Sequence, residues 1–283
     1  MATSCGYEFQ LKHFAFADVS ASDFYVSQWF NSKILFVLYR AFMFLYCLIW
    51  SINTTIILVE AYPIYVAYLS NWAEWTLVVH FLLALLVAIY GLFSQSRDST
   101  STEIGCCPGN RCNNGDVRWF HHLTWVVLTA TAGVNFIVTI IYWAFLSGIR
   151  VASVPANVHQ HIMNSVLMIL DIFISRIPIR LFHFIYVSLY GLTYVLFTAI
   201  LHGADVKSAF YTNLLDWESA PGISAGVCVG LIVVGSPIIH LVSFGFYHLR
   251  AFIARSCGCS STSSENSGED NPGFEMSHPK EDV

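Results

Sequence analysis

The stretch NVHQHIMNSVLMILD, residues 157–171, decides how this chain folds, because it mixes lipid-soluble side chains with polar ones that a bilayer disfavours. An α-helix turns about 100° per residue, so residues spaced by four, three, four and three fall on one stripe. That stripe holds Asn157, His161, Asn164, Met168 and Asp171, and the far side holds Ile162, Val166, Ile169 and Phe173. An ionised group at the bilayer centre costs about 2.5–3.5 kcal/mol. The pattern therefore predicts a membrane helix whose polar stripe faces other helices.

The composition indicates an integral membrane protein. Of 283 residues, 56% are hydrophobic and only 11% are charged, and the mean hydropathy is +0.61. Soluble domains carry about 25% charged residues, so this chain is too apolar for that class. A net charge of −5 without a basic cluster argues against binding to nucleic acid. The first 33 residues lack the features of a signal peptide and are expected to form a polar tail.

Six apolar runs approach the roughly 20 residues that a helix needs to cross the hydrocarbon core of a membrane. They lie at about 34–57, 71–93, 120–146, 159–176, 181–201 and 224–248. The sequence therefore predicts an all-α, polytopic membrane helix bundle with six transmembrane helices. Its expected organisation is a cytosolic N-terminal tail at 1–33, a six-span transmembrane domain at 34–250 and a disordered cytosolic tail at 251–283.

Basic residues are distributed unequally between the two ends of the predicted bundle. The end that holds both termini carries Lys12, Lys33, Arg97, Arg111, Arg118, Arg176, Arg180, Arg250, Arg255 and Lys280, and the other end carries Arg150 and Lys207. Because short cytosolic loops are enriched in Lys and Arg, both termini are predicted to be cytosolic. The remaining base, Arg40, lies in the first span, where its side chain is expected to snorkel towards the cytosolic interface.

Three polar residues in the non-cytosolic half of the bundle form a candidate catalytic group. The second and fourth predicted spans both begin at that face, so Ser70 and the NVHQH segment (157–161) are expected at similar depth. A Ser hydroxyl becomes a useful nucleophile when a base such as His lies within hydrogen-bond reach and a third group orients that base. Ser70 is the candidate nucleophile, His161 the candidate base, and Asn157, one helical turn from His161, the candidate orienting group.

Structural interpretations account for the same residues without chemistry. Asn71 and Glu74 have the spacing of a capping box at the start of the second span. Ser70 at a helix entrance can be an ordinary turn residue. The polar stripe can supply hydrogen bonds between spans, which commonly join membrane helices, or can line a ligand or ion site.

A metal site is not expected from the histidines and cysteines. His159 points about 160° away from His161 on a regular helix, so it is expected in the headgroup layer. This divergence disfavours a zinc site built on His159, His161 and His202. The only cysteine near that side, Cys228, lies within the sixth span. No metal and no other cofactor is therefore predicted.

Partners are expected at both the membrane and the C-terminal tail. Six cysteines fall on the predicted cytosolic side: Cys5, Cys106, Cys107, Cys112, Cys257 and Cys259. CCPGNRC (106–112) and RSCGC (255–259) lie close to predicted spans, so palmitoylation is expected there, with a metal knuckle as the alternative. NPGF (271–274) can form a turn bound by sorting or phosphotyrosine-type domains, and the terminal EDV can add a strand to a PDZ groove. The expected partners are membrane lipids, an acyl-lipid substrate and a PDZ or sorting-adaptor protein.

Four blocks of sequence resemble the rolling stone family of multi-pass membrane proteins. They are YLSNW (68–72), NVHQHIMNSVLMILD (157–171), RIPIRLFHFIYVSLYGLTYVLFTAILHG (176–203) and LDWESAP (215–221). The family is named for a fly protein implicated in myoblast fusion, so the resemblance implies a plasma-membrane protein that acts in cell-cell contact or fusion. Plasma membrane is thereby favoured over endoplasmic reticulum. The family usually has Thr where this chain has Ser70, and Pro where it has Val187.

The candidate catalytic residues also resemble, more distantly, those of the androgen-induced family of membrane threonine hydrolases. That family cleaves fatty acid esters of hydroxy fatty acids. Its catalytic Thr lies in a short LT element that opens a span, and its His follows an Asn by four residues. The matching positions here are Ser70 in LSNW and His161 after Asn157. This resemblance implies an intramembrane hydrolase of fatty acyl esters as the alternative function.

Overall fold

A computed structural model describes residues 19–62, 64–94, 117–146, 153–207, 209–211 and 214–257. This part of the chain is mostly helical, as predicted. We number its long helices in chain order: α1 is Lys33–Ala61, α2 is Leu69–Ser94, α3 is Trp119–Leu146, α4 comprises Val154–Val158, His159–Met163 and Asn164–Ile174, α5 is Phe184–Gly203, and α6 is Pro221–Ser256.

Five of these helices, all except α4, are long and apolar enough to cross a membrane. α4 carries the polar stripe and packs against α3 and α6. The inward direction is confirmed for Asn164, Met168 and Asp171, which have no exposed surface, whereas Val166 on the predicted lipid side is 46% exposed. The other two stripe residues, Asn157 and His161, are half-buried. A sixth crossing by α4 and the cytosolic location of both termini stay predictions.

Two of the helices begin at a serine whose side chain caps the first turn. The hydroxyl of Ser32 accepts a hydrogen bond from the backbone N–H of Leu35 at the start of α1. Ser153 does the same for Ala156 in α4, where Pro155 occupies the first turn. Such caps satisfy backbone donors that have no partner within the helix.

Three helices contain π-helical turns, in which each turn holds one residue more than in an α-helix. They are Tyr142–Leu146 in α3, His159–Met163 in α4 and Leu231–Gly235 in α6. Counting at 100° per residue fails across such a turn. For this reason the expectation that His159 lies in the headgroup layer is wrong. His159 is 2% exposed and lies inside the bundle.

Residues 19–32, the described part of the predicted N-terminal tail, pack against one end of the bundle. A short 3₁₀ helix, Ala21–Phe24, buries the ring of Phe24 against Trp125. The indole N–H of Trp29 donates to the carbonyl of Phe173 at 2.6 Å. These contacts join the chain before α1 to the end of α4.

A short β-hairpin lies between α5 and α6, which the all-α prediction did not include. Its strands are β1, Ala209–Tyr211, and β2, Leu215–Asp216, and they pair antiparallel. Phe210 and Leu215 are buried beneath it. The side chain of Asp216 accepts hydrogen bonds from two following backbone N–H groups, which lower its pKa and stabilise the turn into α6.

Several predictions concern residues outside the described ranges. They include the NPGF and EDV motifs and four of the five candidate acylation sites, namely Cys106, Cys107, Cys112 and Cys259. Cys257 lies within the described residues, follows the last residue of α6 and is exposed.

Candidate functional site

A cavity of about 500 Å³ lies among α2 to α6 and beneath the β-hairpin. Most of its lining is apolar. All three π-helical turns contribute to the lining, through Tyr142, His161 and Ile232 among others. Turns of this kind are frequent at functional sites, and a mainly apolar cavity with a few polar groups is the usual form of a small-molecule site. We therefore take this cavity as the candidate functional site.

Ser70 and His161, the candidate nucleophile and base, both line this cavity. Ser70 lies in the first turn of α2, which begins at Leu69, and is half-buried. Within the described part of the chain, no hydrogen bond joins the two side chains, and the Nδ1 atom of His161 is buried without a partner. The fold thus places both side chains at one cavity. A direct hydrogen bond between Ser70 and His161 would have to form within it.

Tyr142 is the residue that contacts the imidazole of His161. The two rings are parallel to within 5°, and their centroids are 3.7 Å apart. The amide of Asn157 donates to the hydroxyl of Tyr142 at 2.5 Å. Asn157 therefore reaches His161 through Tyr142 and does not bond the imidazole itself. The sequence did not indicate Tyr142, which lies near the end of an apolar span.

Two further phenols lie where the hairpin covers the cavity. The hydroxyl of Tyr211 in β1 accepts a hydrogen bond from the backbone N–H of Leu69 at 2.8 Å. The hydroxyl of Tyr194 in α5 donates to the carbonyl of Ala67 at 2.8 Å. Burial raises the pKa of Tyr211 to about 12. These bonds attach the hairpin and α5 to the segment that carries Ser70.

Beside the cavity, α2 and α4 share a buried polar group that we call the Glu74 cluster: Asn71, Glu74, His159 and Gln160. The amide of Gln160 donates to Glu74 at 2.9 Å and to Asn71 at 2.6 Å. The Nδ1 atom of His159 lies 3.3 Å from a carboxylate oxygen of Glu74. The capping-box prediction for Asn71 and Glu74 is wrong, because α2 begins earlier, at Leu69, and both side chains bond α4 instead.

A second buried group, the Asp171 cluster, joins α1, α2 and α4. The guanidinium of Arg40 contacts the carboxylate of Asp171, and neither side chain has any exposed surface. His80 lies 2.8 Å from the other carboxylate oxygen, and the hydroxyl of Tyr39 donates at 3.1 Å. The expectation that Arg40 snorkels to the interface is therefore wrong. An anionic partner on a neighbouring helix holds its charge inside the bundle.

Metal ligands do not come together in the described residues. No group of three or more His, Cys, Asp or Glu side chains there has a geometry that could hold a metal ion. His159 and His161, which the disfavoured zinc site would have shared, lie in different environments. His159 stacks on Trp50 beside Glu74, and His161 stacks on Tyr142.

These features define a class of protein: an integral membrane helix bundle with charged clusters buried between its helices and an apolar cavity beside them. The family model described as Protein rolling stone matches residues 1–265, so the chain belongs to the rolling stone family. The family predicted from the four sequence blocks is confirmed.

Comparison with an individual protein agrees with this family. The chain is 26% identical over 259 residues to Protein rolling stone of Drosophila melanogaster, an alignment that covers 88% of this chain and 90% of the fly protein. No solved structure matches the chain.

Proposed function

We propose that this protein is an intramembrane hydrolase of fatty acyl esters, with Ser70 as the nucleophile and His161 as the general base. The proposal is supported by one observation above all: the two residues, far apart in sequence, line the same cavity. Hydrogen bonds between catalytic groups are often long before the substrate binds and tighten in the reacting complex. A shared cavity satisfies the first geometric condition for this chemistry, and a hydrogen bond between the two side chains would have to form when the substrate binds.

The reaction would proceed in two stages. In the first, the hydroxyl oxygen of Ser70 attacks the ester carbonyl while His161 takes the hydroxyl proton. The bond to the alcohol oxygen breaks, His161 returns the proton to that oxygen, and the acyl group stays on Ser70. In the second, His161 deprotonates a water molecule that attacks the acyl carbonyl. The bond between the acyl carbon and the Ser70 oxygen breaks, His161 returns the proton to that oxygen, and the fatty acid leaves.

The lining of the cavity favours an acyl chain over a polar substrate. Leu69, Val134, Val138 and Val187 line it together with aromatic rings. Each buried methylene contributes about 0.8 kcal/mol to binding in such surroundings. The few polar atoms, on Ser70 and His161 among others, would then meet the ester group of the substrate.

Labelling with a small fluorophosphonate probe in isolated membranes tests this proposal. We expect the full-length protein to be labelled, and labelling to be lost in Ser70→Ala and in His161→Ala at unchanged protein level. Ser70→Thr should retain labelling, because it keeps the hydroxyl. Ser51→Ala, at a buried serine outside the cavity, and His202→Ala, at a histidine outside the cavity, are the matched controls.

Two outcomes would overturn the hydrolase proposal. One is a wild-type protein that is present in membranes and folded but never labelled. The other is equal labelling of wild type and Ser70→Ala, because the nucleophile would then be a different residue.

We propose as a second role that the protein acts at the plasma membrane in cell-cell contact or fusion. The observation that favours this role is the family match over residues 1–265. Mixing two populations of cells, each filled with a different dye, measures fusion directly. Content mixing should rise when both populations express the protein, and an unchanged rate would contradict this role. Repeating the assay with Ser70→Ala tells whether fusion needs the hydrolase chemistry.

A further inference from the structure

α6 consists of two stretches with different neighbours. Ser236–Ser256 packs against α3, α4 and α5, whereas Pro221–Gly235 makes its main contacts with α5 and β2. The change occurs at the π-helical turn Leu231–Gly235, which Pro237 follows closely. Pro and π-helical turns both redirect helices. The first stretch of α6 is therefore directed away from α3, and the cavity lies in the space between them.

Two serine hydroxyls, one on α5 and one on α6, bond the π-helical turn of α6. The hydroxyl of Ser188 in α5 donates to the carbonyl of Ile232 at 3.0 Å, and the hydroxyl of Ser236 donates to the carbonyl of Leu231 at 3.1 Å. A π-helical turn leaves carbonyl groups that need such partners. The two serines thus stabilise the turn at which α6 changes neighbours.

Some residues that line the cavity are also exposed on the outside of the bundle. Phe145 of α3 is 68% exposed, and Gly230 of α6 is exposed as well. Around Gly230 the surface is apolar, with Val229 60% and Val233 64% exposed. Both helices are long and apolar enough to cross a membrane. Among the described residues, the cavity therefore has an open side between α3 and α6, on a surface of the kind that faces lipid.

At its other end, the described residues of the β-hairpin lie over the cavity, which the buried Leu215 and the half-buried Leu214 both line. Leu215 is 5% exposed. The hydrogen bond from the Leu69 N–H to Tyr211 attaches the hairpin to the start of α2. A ligand that came from water at this end would have to displace the hairpin, whereas one that came from the bilayer would meet an open side.

We propose that a fatty acyl chain enters this cavity sideways from the bilayer, through the opening between α3 and α6, and that Gly230 keeps the opening free because it has no side chain. A Cβ atom at Gly230 would meet no described residue within 4 Å. Hydrolysis of the acyl chain after entry rests on the proposed function. Entry and binding of the acyl chain need no catalysis.

Photolabelling with a diazirine-bearing fatty acid dissolved in vesicles that contain the full-length protein tests the inference. In wild type, adducts should form on peptides that line the cavity. Gly230→Trp should lower their yield by about tenfold or more, the loss that corresponds to about two buried methylene contacts. Gly230→Leu, with a smaller side chain, provides a second variant and should lower the yield less.

Gly226→Trp is the matched control. Gly226 lies one turn earlier on α6 and is exposed, and no described residue lies within 4 Å of its Cβ position, but it does not line the cavity. Both substitutions replace glycine by a residue with higher helix propensity, so neither is expected to weaken the helix. Gly226→Trp should therefore retain the wild-type yield of adducts.

The outcomes separate this inference from the proposed function. Equal photolabelling of Gly230→Trp, Gly226→Trp and wild type, or adducts only outside the cavity, would overturn sideways entry. The small fluorophosphonate reports on Ser70 independently of the acyl chain. Photolabelling that depends on Gly230 in a protein that the fluorophosphonate never labels would support entry while refuting the hydrolase.

Discussion

Replacement of Asp171 by Ala should leave the charge of Arg40 buried without its anionic partner. Neither side chain has exposed surface, and Asp171 is also hydrogen-bonded to His80 at 2.8 Å and to Tyr39 at 3.1 Å. Removing one partner of a buried ion pair costs about 3–5 kcal/mol. Since folded domains are stable by about 5–15 kcal/mol, this single change should remove a large share of the free energy of unfolding.

Thermal unfolding of the purified protein in detergent measures this loss. For a domain of this size, 1 kcal/mol shifts Tm by roughly 2–4 °C, so Asp171→Ala should lower Tm by roughly 6–20 °C. The double variant Arg40→Met, Asp171→Leu removes both charges and should be close to wild type or more stable. Glu60→Ala, at an exposed carboxylate of α1, is the control and should change stability by less than about 0.5 kcal/mol.

The comparison between the single and double variants tests whether Arg40 and Asp171 act as a buried ion pair. If Asp171→Ala unfolds at the same temperature as Glu60→Ala, the carboxylate does not hold Arg40 inside the bundle. If the double variant is less stable than the single one, the two side chains are not coupled as a pair. Either result would refute the role of the Asp171 cluster in joining α1 to α4.

Two further predictions concern packing and the hairpin. Gly133→Ala should destabilise the protein by about 1–3 kcal/mol, because its Cβ would lie 2.5 Å from a methyl group of Val187. Gly245→Ala, where nothing lies within 4 Å, should instead be neutral or raise Tm, and equal effects would contradict the close packing of α3 and α5. Tyr211→Phe removes the hydroxyl that accepts from the Leu69 N–H, so it should lower the free energy of unfolding by about 1 kcal/mol. Hydrogen exchange at the Leu69 amide should become faster. Unchanged exchange would show that this bond does not attach the hairpin.

The sequence predicted those features of the fold that depend on regular periodicity. The spacing of Asn164, Met168 and Asp171 placed them on one side of α4, and all three are buried. The π-helical turn before them could not be read from the sequence, so the position of His159 was predicted wrongly. The position of Arg40 depends on a partner far along the chain. The hairpin has strands of three and two residues, too short for a recognisable alternation.

The candidate site was predicted only in part, for a related reason. Ser70 and His161 were expected at similar depth because two predicted spans begin at the same face, and they do line one cavity. Tyr142 was missed because the residue that stacks on an imidazole is decided by how two helices pack. Gln160, which bonds two residues of α2, was missed because the π-helical turn directs it inward.

The position of the fluorophosphonate adduct, determined by mass spectrometry of the labelled protein, tests the central claim most directly. The account predicts one adduct, on the peptide that contains Ser70, present in wild type and absent in His161→Ala. An adduct on any other residue, or one on Ser70 that forms equally well without the imidazole of His161, would contradict it.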